Sequence, residues 1–150
     1  MFYYICTVQL KNKEIMKIVK YVVNQDQDFQ YITLSEIEEK FPNIHENVHQ
    51  PYDGTFFLVA EDDVHFQVTQ IFTNPEFADF YEGSPVEITD VTFDVLHNIE
   101  KYENLPNQVS DNNVLLNTYF QTVNKDFILD KILEFGIESI NNIDKQVLAA

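Results

Sequence analysis

Two neighbouring apolar segments in the middle of the chain constrain its fold most. Residues 55–61 and 64–72 are rich in β-branched and aromatic residues, and apolar positions alternate with polar ones over residues 64–69. This pattern is typical of strands that bury one face. Asp62 and Asp63 separate the two segments at the point where a second strand could turn back on the first. We therefore predict a central antiparallel hairpin over about residues 55–72.

The rest of the chain predicts strands early and helices late. Residues 2–9 have the composition of a strand, and residues 11–23 carry apolar side chains at helical spacing. The remaining predicted elements are a strand over 30–34, a helix over 35–41 with a capping box at Ser35 and Glu38, a short helix over 75–81, a strand over 86–89, a helix over 92–103 and two helical pieces in the last forty residues. Together they predict a single α+β domain over residues 1–150, with an N-terminal strand and helix and a helical C-terminal third.

The order of four of these predicted elements resembles that of winged-helix domains. A helix over 12–23, a strand over 30–34, a helix over 35–41 and the hairpin over 55–72 follow one another in that order. The resemblance covers about half of the chain and implies a recognition segment at residues 43–50. That segment contains no Lys or Arg, so binding of DNA through it is not expected.

Charge is distributed unevenly along the chain. The sequence contains nine lysines, no arginine and 25 acidic residues, which gives a net charge of −16. Residues 41–100 hold 12 of the acidic residues and neither Lys nor Arg, and we call this segment the base-free zone. Solubility alone does not require cations to be excluded, because mixed charges relieve self-repulsion. The pattern predicts a surface for a positively charged partner, whereas direct binding of nucleic acid or of an anionic membrane is not expected.

The predicted binding surface combines carboxylates with aromatic side chains of the base-free zone. Carboxylates held on rigid elements can resemble the phosphates of a nucleic acid, and aromatic side chains can anchor a protein interface. The predicted partner-binding residues are Glu61, Asp62, Asp63, Glu76, Phe77, Asp79, Phe80, Tyr81, Glu82, Glu87, Asp90 and Asp94. The alternative is an acidic face that serves only solubility, with the aromatic side chains in the core.

Residues 45–49, His-Glu-Asn-Val-His, match the HExxH pattern of zinc metalloproteases. On a helix the two histidines would lie on one face and share a zinc ion, with Glu46 as the general base. Those proteases carry the motif inside a long helix, whereas Pro42 and Pro51 confine this copy to at most eight residues. We therefore predict neither a metal site nor an enzyme, and we keep a small metalloprotease as an alternative.

The remaining features bear on location and on the class of function. The single cysteine, Cys6, cannot form an intramolecular disulfide, which favours the cytoplasm. With only three glycines the chain has no glycine-rich phosphate loop, and no cofactor is expected. The sequence predicts an inhibitor that mimics nucleic acid and blocks a basic protein, such as a restriction enzyme or a CRISPR nuclease. An immunity protein against a nuclease toxin and an interaction domain whose acidity is incidental are also consistent with this pattern.

Overall fold

A four-stranded antiparallel sheet lies at the centre of the fold. The computed structural model describes residues 16–23, 35–52, 54–74, 86–108 and 112–150. The strands are β1 (Lys17–Val23), β2 (Val48–Tyr52), β3 (Thr55–Ala60) and β4 (Val86–Asp90). Their order across the sheet is β2-β3-β1-β4, so β1 and β3 are the two inner strands.

Helices cover both faces of this sheet. They are α1 (residues 35–40), α2 (Asp62–Phe72), α3 (Thr92–His97), α4 (Glu100–Glu103), α5 (Val114–Thr122), α6 (Lys125–Phe135) and α7 (Asn142–Ala149), with 3₁₀ turns at Ile44–Asn47 and Ile137–Ser139. An asparagine side chain caps the N terminus of each of the last three helices, α5 to α7. In the described part of the chain, no helix has both the length and the apolar character that crossing a membrane requires.

The two faces of the sheet contribute to two separate hydrophobic cores. Val19 and Tyr21 of β1 pack with α1 and α2 on one face, whereas Ile18 points to the other face and packs with the C-terminal helices. All six residues of β3 are buried, because this inner strand is covered on both faces. The sheet therefore fixes where α2 and α3, which follow β3 and β4, begin.

The predicted hairpin over residues 55–72 is wrong in its second half, because residues 62–72 form helix α2. Val68, Ile71 and Phe72 are buried at helical spacing, while Phe66 is 62% exposed on the opposite side. The observed hairpin instead joins β2 to β3. Tyr52 pairs with Thr55 across a two-residue loop, in which Gly54 has a φ of 82°. A left-handed φ of this kind favours glycine in a short hairpin loop.

The helix predicted over residues 11–23 is also wrong where the structure describes it. Residues 17–23 form β1, which pairs with β3 on one side and with β4 on the other. Its β-branched residues fit this inner position, since both faces of the strand are covered. The winged-helix order therefore fails at two elements. The predicted strands over 2–9 and 30–34 and the short helix over 75–81 lie outside the described residues.

The α+β class and the helical C-terminal third are confirmed. Residues 35–40 are helical and the strand predicted at 86–89 is β4, as expected. The helix predicted over 92–103 is divided into α3 and α4. The last predicted helical piece is also divided, because Gly136, with a φ of 91°, ends α6 and a 3₁₀ turn separates it from α7.

Candidate acidic interface

Several acidic residues of the base-free zone meet at one end of the sheet. Because β1 runs antiparallel to both neighbours, its first residue, Lys17, lies opposite Ala60 at the end of β3, and Val19 lies opposite Asp90 at the end of β4. Helix α2 starts directly after β3, and α3 starts directly after β4. We call this region the acidic edge, and its acidic members are Glu61, Asp62, Asp63, Asp90 and Asp94.

Lys17 lies within the acidic edge and partly neutralises it. Its Nζ lies 3.0 Å from Oδ1 of Asp62, and both side chains are exposed to solvent. The hydrogen bond and the charge of Asp62 raise the pKa of Lys17, and the charge of Asp90 acts in the same direction. The base-free zone is therefore free of bases only along the sequence, since the fold brings in a lysine from outside it.

Asp90 holds α3 against the sheet. Its Oδ1 accepts hydrogen bonds from the backbone N–H of Thr92 at 3.0 Å and from the Thr92 hydroxyl at 2.7 Å. The same hydroxyl oxygen accepts a hydrogen bond from the backbone N–H of Ile18 at 2.9 Å. Burial acts to raise the pKa of Asp90, but the bonds from Thr92 and the charge of Lys17 lower it on balance. The carboxylate of Asp90 therefore has a structural role in addition to its contribution to the negative charge of the surface.

Asp94 is likewise engaged within the protein. One carboxylate oxygen accepts a hydrogen bond from the Tyr102 hydroxyl, and the other accepts one from Asn98 at 2.9 Å. Lys101 lies 3.6 Å from that second oxygen. The bond from Tyr102 is the main reason why the pKa of Asp94 lies below its usual value. These contacts turn Asp94 toward α4.

The carboxylates at the start of α2 form an exposed part of the acidic edge. Glu61, Asp62 and Asp63 are all exposed, and Asp63 accepts a hydrogen bond from Gln67 at 3.3 Å. Carboxylates in the first turn of a helix also interact favourably with its dipole, so these residues stabilise α2 as well. Phe66 lies one turn further on the same exposed side. Three carboxylates and one aromatic ring are therefore presented together.

A second exposed aromatic ring lies on α3. Phe93 is 66% exposed and its ring stacks on that of His97 with centroids 3.8 Å apart. The His97 ring in turn contacts Phe127 and Phe135 of α6 at 5.2 and 6.0 Å. Neither Phe66 nor Phe93 is among the predicted partner-binding residues. A helical projection of residues 62–72 would have placed Phe66 opposite the apolar stripe.

His65 is buried beneath the acidic edge and connects α2 to β1. Its Nε2 lies 3.1 Å from the carbonyl oxygen of Lys17, and its Nδ1 lies 2.9 Å from the Tyr21 hydroxyl. Because a carbonyl only accepts, Nε2 carries the hydrogen and Nδ1 accepts from Tyr21. Burial lowers the pKa of His65, although the nearby charges of Asp62 and Asp90 act against this shift. The neutral ring therefore joins α2 to the start of β1.

The structure does not bring all predicted partner-binding residues to the acidic edge. Glu87 lies three positions before Asp90 on β4, and the alternation of the strand places it on the opposite face of the sheet. The six predicted residues that lie outside the described ranges are Glu76, Phe77, Asp79, Phe80, Tyr81 and Glu82.

The two histidines of the HExxH match do not share a helix. His45 and Glu46 are exposed in a 3₁₀ turn, whereas His49 is buried in β2 against the Phe57 ring, with centroids 6.0 Å apart. Burial lowers the pKa of His49. Within the ranges that the structure describes, no group of three or more His, Cys, Asp or Glu side chains is placed to hold a metal ion.

The acidic edge can attract positively charged groups. It offers carboxylate oxygens as acceptors for ammonium or guanidinium groups, and the Phe66 ring of α2 is exposed for apolar contact. Comparison with protein families, with curated proteins and with solved structures finds nothing that matches this chain.

Proposed function

We propose that this protein is an acidic inhibitor that blocks a basic, nucleic-acid-binding protein by occupying its cationic groove. The observation that carries the proposal is the start of α2, where Glu61, Asp62 and Asp63 are exposed beside Phe66. Carboxylates speed the encounter with a positive groove, and a ring one helical turn beyond them supplies the apolar anchor that charge alone lacks. The single cysteine in the sequence supports action in the cytoplasm.

The residues of the acidic edge take different roles in this proposal. The exposed carboxylates at the start of α2 contact the partner, and Phe66 inserts between its side chains. Asp90 and Asp94 position α3 through their bonds to Thr92 and Tyr102, and they add charge at longer range. Lys17 weakens the negative field, so partner binding has to compete with its contact to Asp62.

The test compares two sets of neutralised variants that lose equal charge. The edge variant combines Glu61→Gln, Asp62→Asn and Asp63→Asn, whose side chains still suit a helix N terminus. The control variant combines Asp126→Asn, Asp130→Asn and Glu138→Gln, which are exposed in the C-terminal part of the chain. Inhibition is measured on purified restriction enzymes, CRISPR nucleases and nuclease toxin domains at low and high salt.

We expect inhibition by the wild type and the control variant but at least about tenfold weaker inhibition by the edge variant. Inhibition should also weaken as salt rises, because exposed charges are screened, and excess duplex DNA should compete. Phe66→Ala should weaken inhibition while leaving stability nearly unchanged, since the ring is exposed. Equal inhibition by the two neutralised variants, or inhibition that salt does not change, would contradict the proposal.

An immunity protein against a nuclease toxin would use the same surface, and inhibition confined to toxin domains would identify it. An interaction domain with incidental acidity is the second candidate function. The internal bonds of Asp90 and Asp94 favour it, because those two carboxylates have structural roles that need no partner. In that case none of the nucleases would be inhibited at low salt.

A further inference from the structure

An apolar cavity lies on the face of the sheet that carries α1 and α2. Its volume is about 120 Å³. Val23, Phe56 and Leu58 line it from the sheet, Val68 lines it from α2, and Ile37 lines it from α1. All of these side chains are buried in the same hydrophobic core. The cavity is therefore part of the core and separate from the acidic edge.

The rim of the cavity is polar. Glu38 of α1, His45 of the 3₁₀ turn and Gln50 of β2 are the polar side chains of its lining, which also includes Ile44, Val48 and Gly54. Glu38 and His45 are exposed and Gln50 is half-buried, so these three side chains mark the end of the cavity that faces solvent. His45 is the first histidine of the HExxH match.

The size and the lining together define the kind of molecule that fits. Apolar cavities of about 150 Å³ in protein cores stay dry and bind benzene, because water finds no hydrogen-bond partners in them. Small-molecule sites combine such apolar walls with a few polar groups that fix orientation. At this rim the carboxylate of Glu38 accepts hydrogen bonds, so it favours a ligand with a donor at one end.

We propose that the cavity binds a small molecule of about the size of benzene that carries one hydrogen-bond donor, with the apolar body in the core and the donor on Glu38. The apolar part of the ligand displaces no ordered, hydrogen-bonded water, because the walls of the cavity are apolar. The proposal is independent of the inhibitor function, because none of the lining residues belongs to the acidic edge.

Phenol is the probe that tests the proposal, with benzene as the matched compound that lacks the donor. Each is titrated into the full chain labelled with ¹⁵N, and amide shifts are followed. We expect saturable shifts at the lining residues, with phenol bound more tightly than benzene. Glu38→Gln should weaken phenol binding about three- to tenfold and leave benzene unchanged, because a charged acceptor becomes neutral. Glu36→Gln, on the same helix but outside the lining, is the control.

A blocking variant tests whether the core cavity itself holds the ligand. Val68→Phe directs a ring into the cavity from α2, and Val48→Phe does so from a half-buried position on β2, in case the first variant fails to fold. Whichever variant folds should lose phenol binding. The proposal is overturned if phenol gives no saturable shifts with the wild type, if folded blocking variants bind it unchanged, or if benzene binds equally well and Glu38→Gln has no effect.

Discussion

Replacing Lys131 with methionine removes one half of an ion pair that is buried at both ends. Nζ of Lys131 lies 2.8 Å from Oδ2 of Asp144, and the two side chains are 3% and 0% exposed. Nζ also donates to the carbonyl oxygen of His97 at 3.1 Å. Asp144 Oδ2 accepts from the backbone N–H of Asn141 in the capping box of α7, while its Oδ1 has no hydrogen-bond partner among the described residues.

The size of the stability loss depends on the buried charge of Asp144, which Lys131→Met leaves without a partner. Burial lowers the pKa of Lys131 and raises that of Asp144, so each charge depends on its partner to remain ionised in the core. Breaking such a buried pair costs about 3–5 kcal/mol, because the remaining charge is neither solvated nor paired. A domain of this size has a total free energy of unfolding of about 5–15 kcal/mol. Lys131→Met should therefore remove a large part of the stability.

Urea unfolding followed by circular dichroism at pH 7 measures this loss. The matched control is Lys101→Met, which breaks the exposed pair with Asp94, whose side chains are 65% and 43% exposed. That substitution should cost less than about 1 kcal/mol, because water screens the charges. The double variant Lys131→Met with Asp144→Leu should regain most of the stability, since no buried charge remains.

The loss caused by Lys131→Met should also shrink as the pH falls. The pKa of Asp144 is raised by burial, so protonation favours the folded state, and the stability that protonation provides is lost as pH rises through the folded pKa. Equal losses for Lys131→Met and Lys101→Met at pH 7, or a loss at Lys131 that grows toward acid pH, would refute this reasoning.

Two further predictions concern histidines and the start of α3. Burial lowers the pKa values of His49 and His65, so these histidines bind protons more readily in the unfolded chain than in the folded protein. The free energy of unfolding should therefore fall as the pH drops below about 6.5, by at most about 1.4 kcal/mol per pH unit for each histidine. Urea titrations between pH 5 and 8 should show a shallower slope of stability against pH for His49→Phe than for the wild type, and identical slopes for the two proteins would contradict the argument. Thr92→Val should lower the free energy of unfolding by about 1–3 kcal/mol, because it leaves Asp90 and a backbone N–H of β1 without their shared hydroxyl. A loss below about 0.5 kcal/mol in the same assay would show that these bonds do not hold α3.

Local signals in the sequence were sufficient for several elements. The helix predicted to end before Pro42 is observed as α1, and the β-branched run at residues 86–89 correctly predicts β4. The helical spacing of the last forty residues correctly predicts a helical C-terminal third. These signals depend only on residues close in the chain, so no knowledge of the rest of the fold is needed to interpret them.

The sequence did not settle the elements whose apolar residues fit two periodicities. Residues 64–72 alternate partly like a strand but also carry Val68, Ile71 and Phe72 at helical spacing. Helix α2 buries these three side chains in the core above the sheet, whereas β2 takes the place beside β3 that the second strand of the predicted hairpin would have had. Residues 17–23 are similar, because a strand covered on both faces loses the alternation that would identify it.

For the charge of the candidate site, too, the sequence determines one part and the tertiary structure the other. The sequence alone reveals that residues 41–100 are acidic and lack Lys and Arg. Only the tertiary structure brings Lys17 to Asp62, engages Asp90 and Asp94 in internal bonds, and leaves Phe66 exposed beside the carboxylates of α2. The physical reason is that composition fixes the total charge, whereas the antiparallel pairing of β1 with β3 and β4 fixes which charges become neighbours.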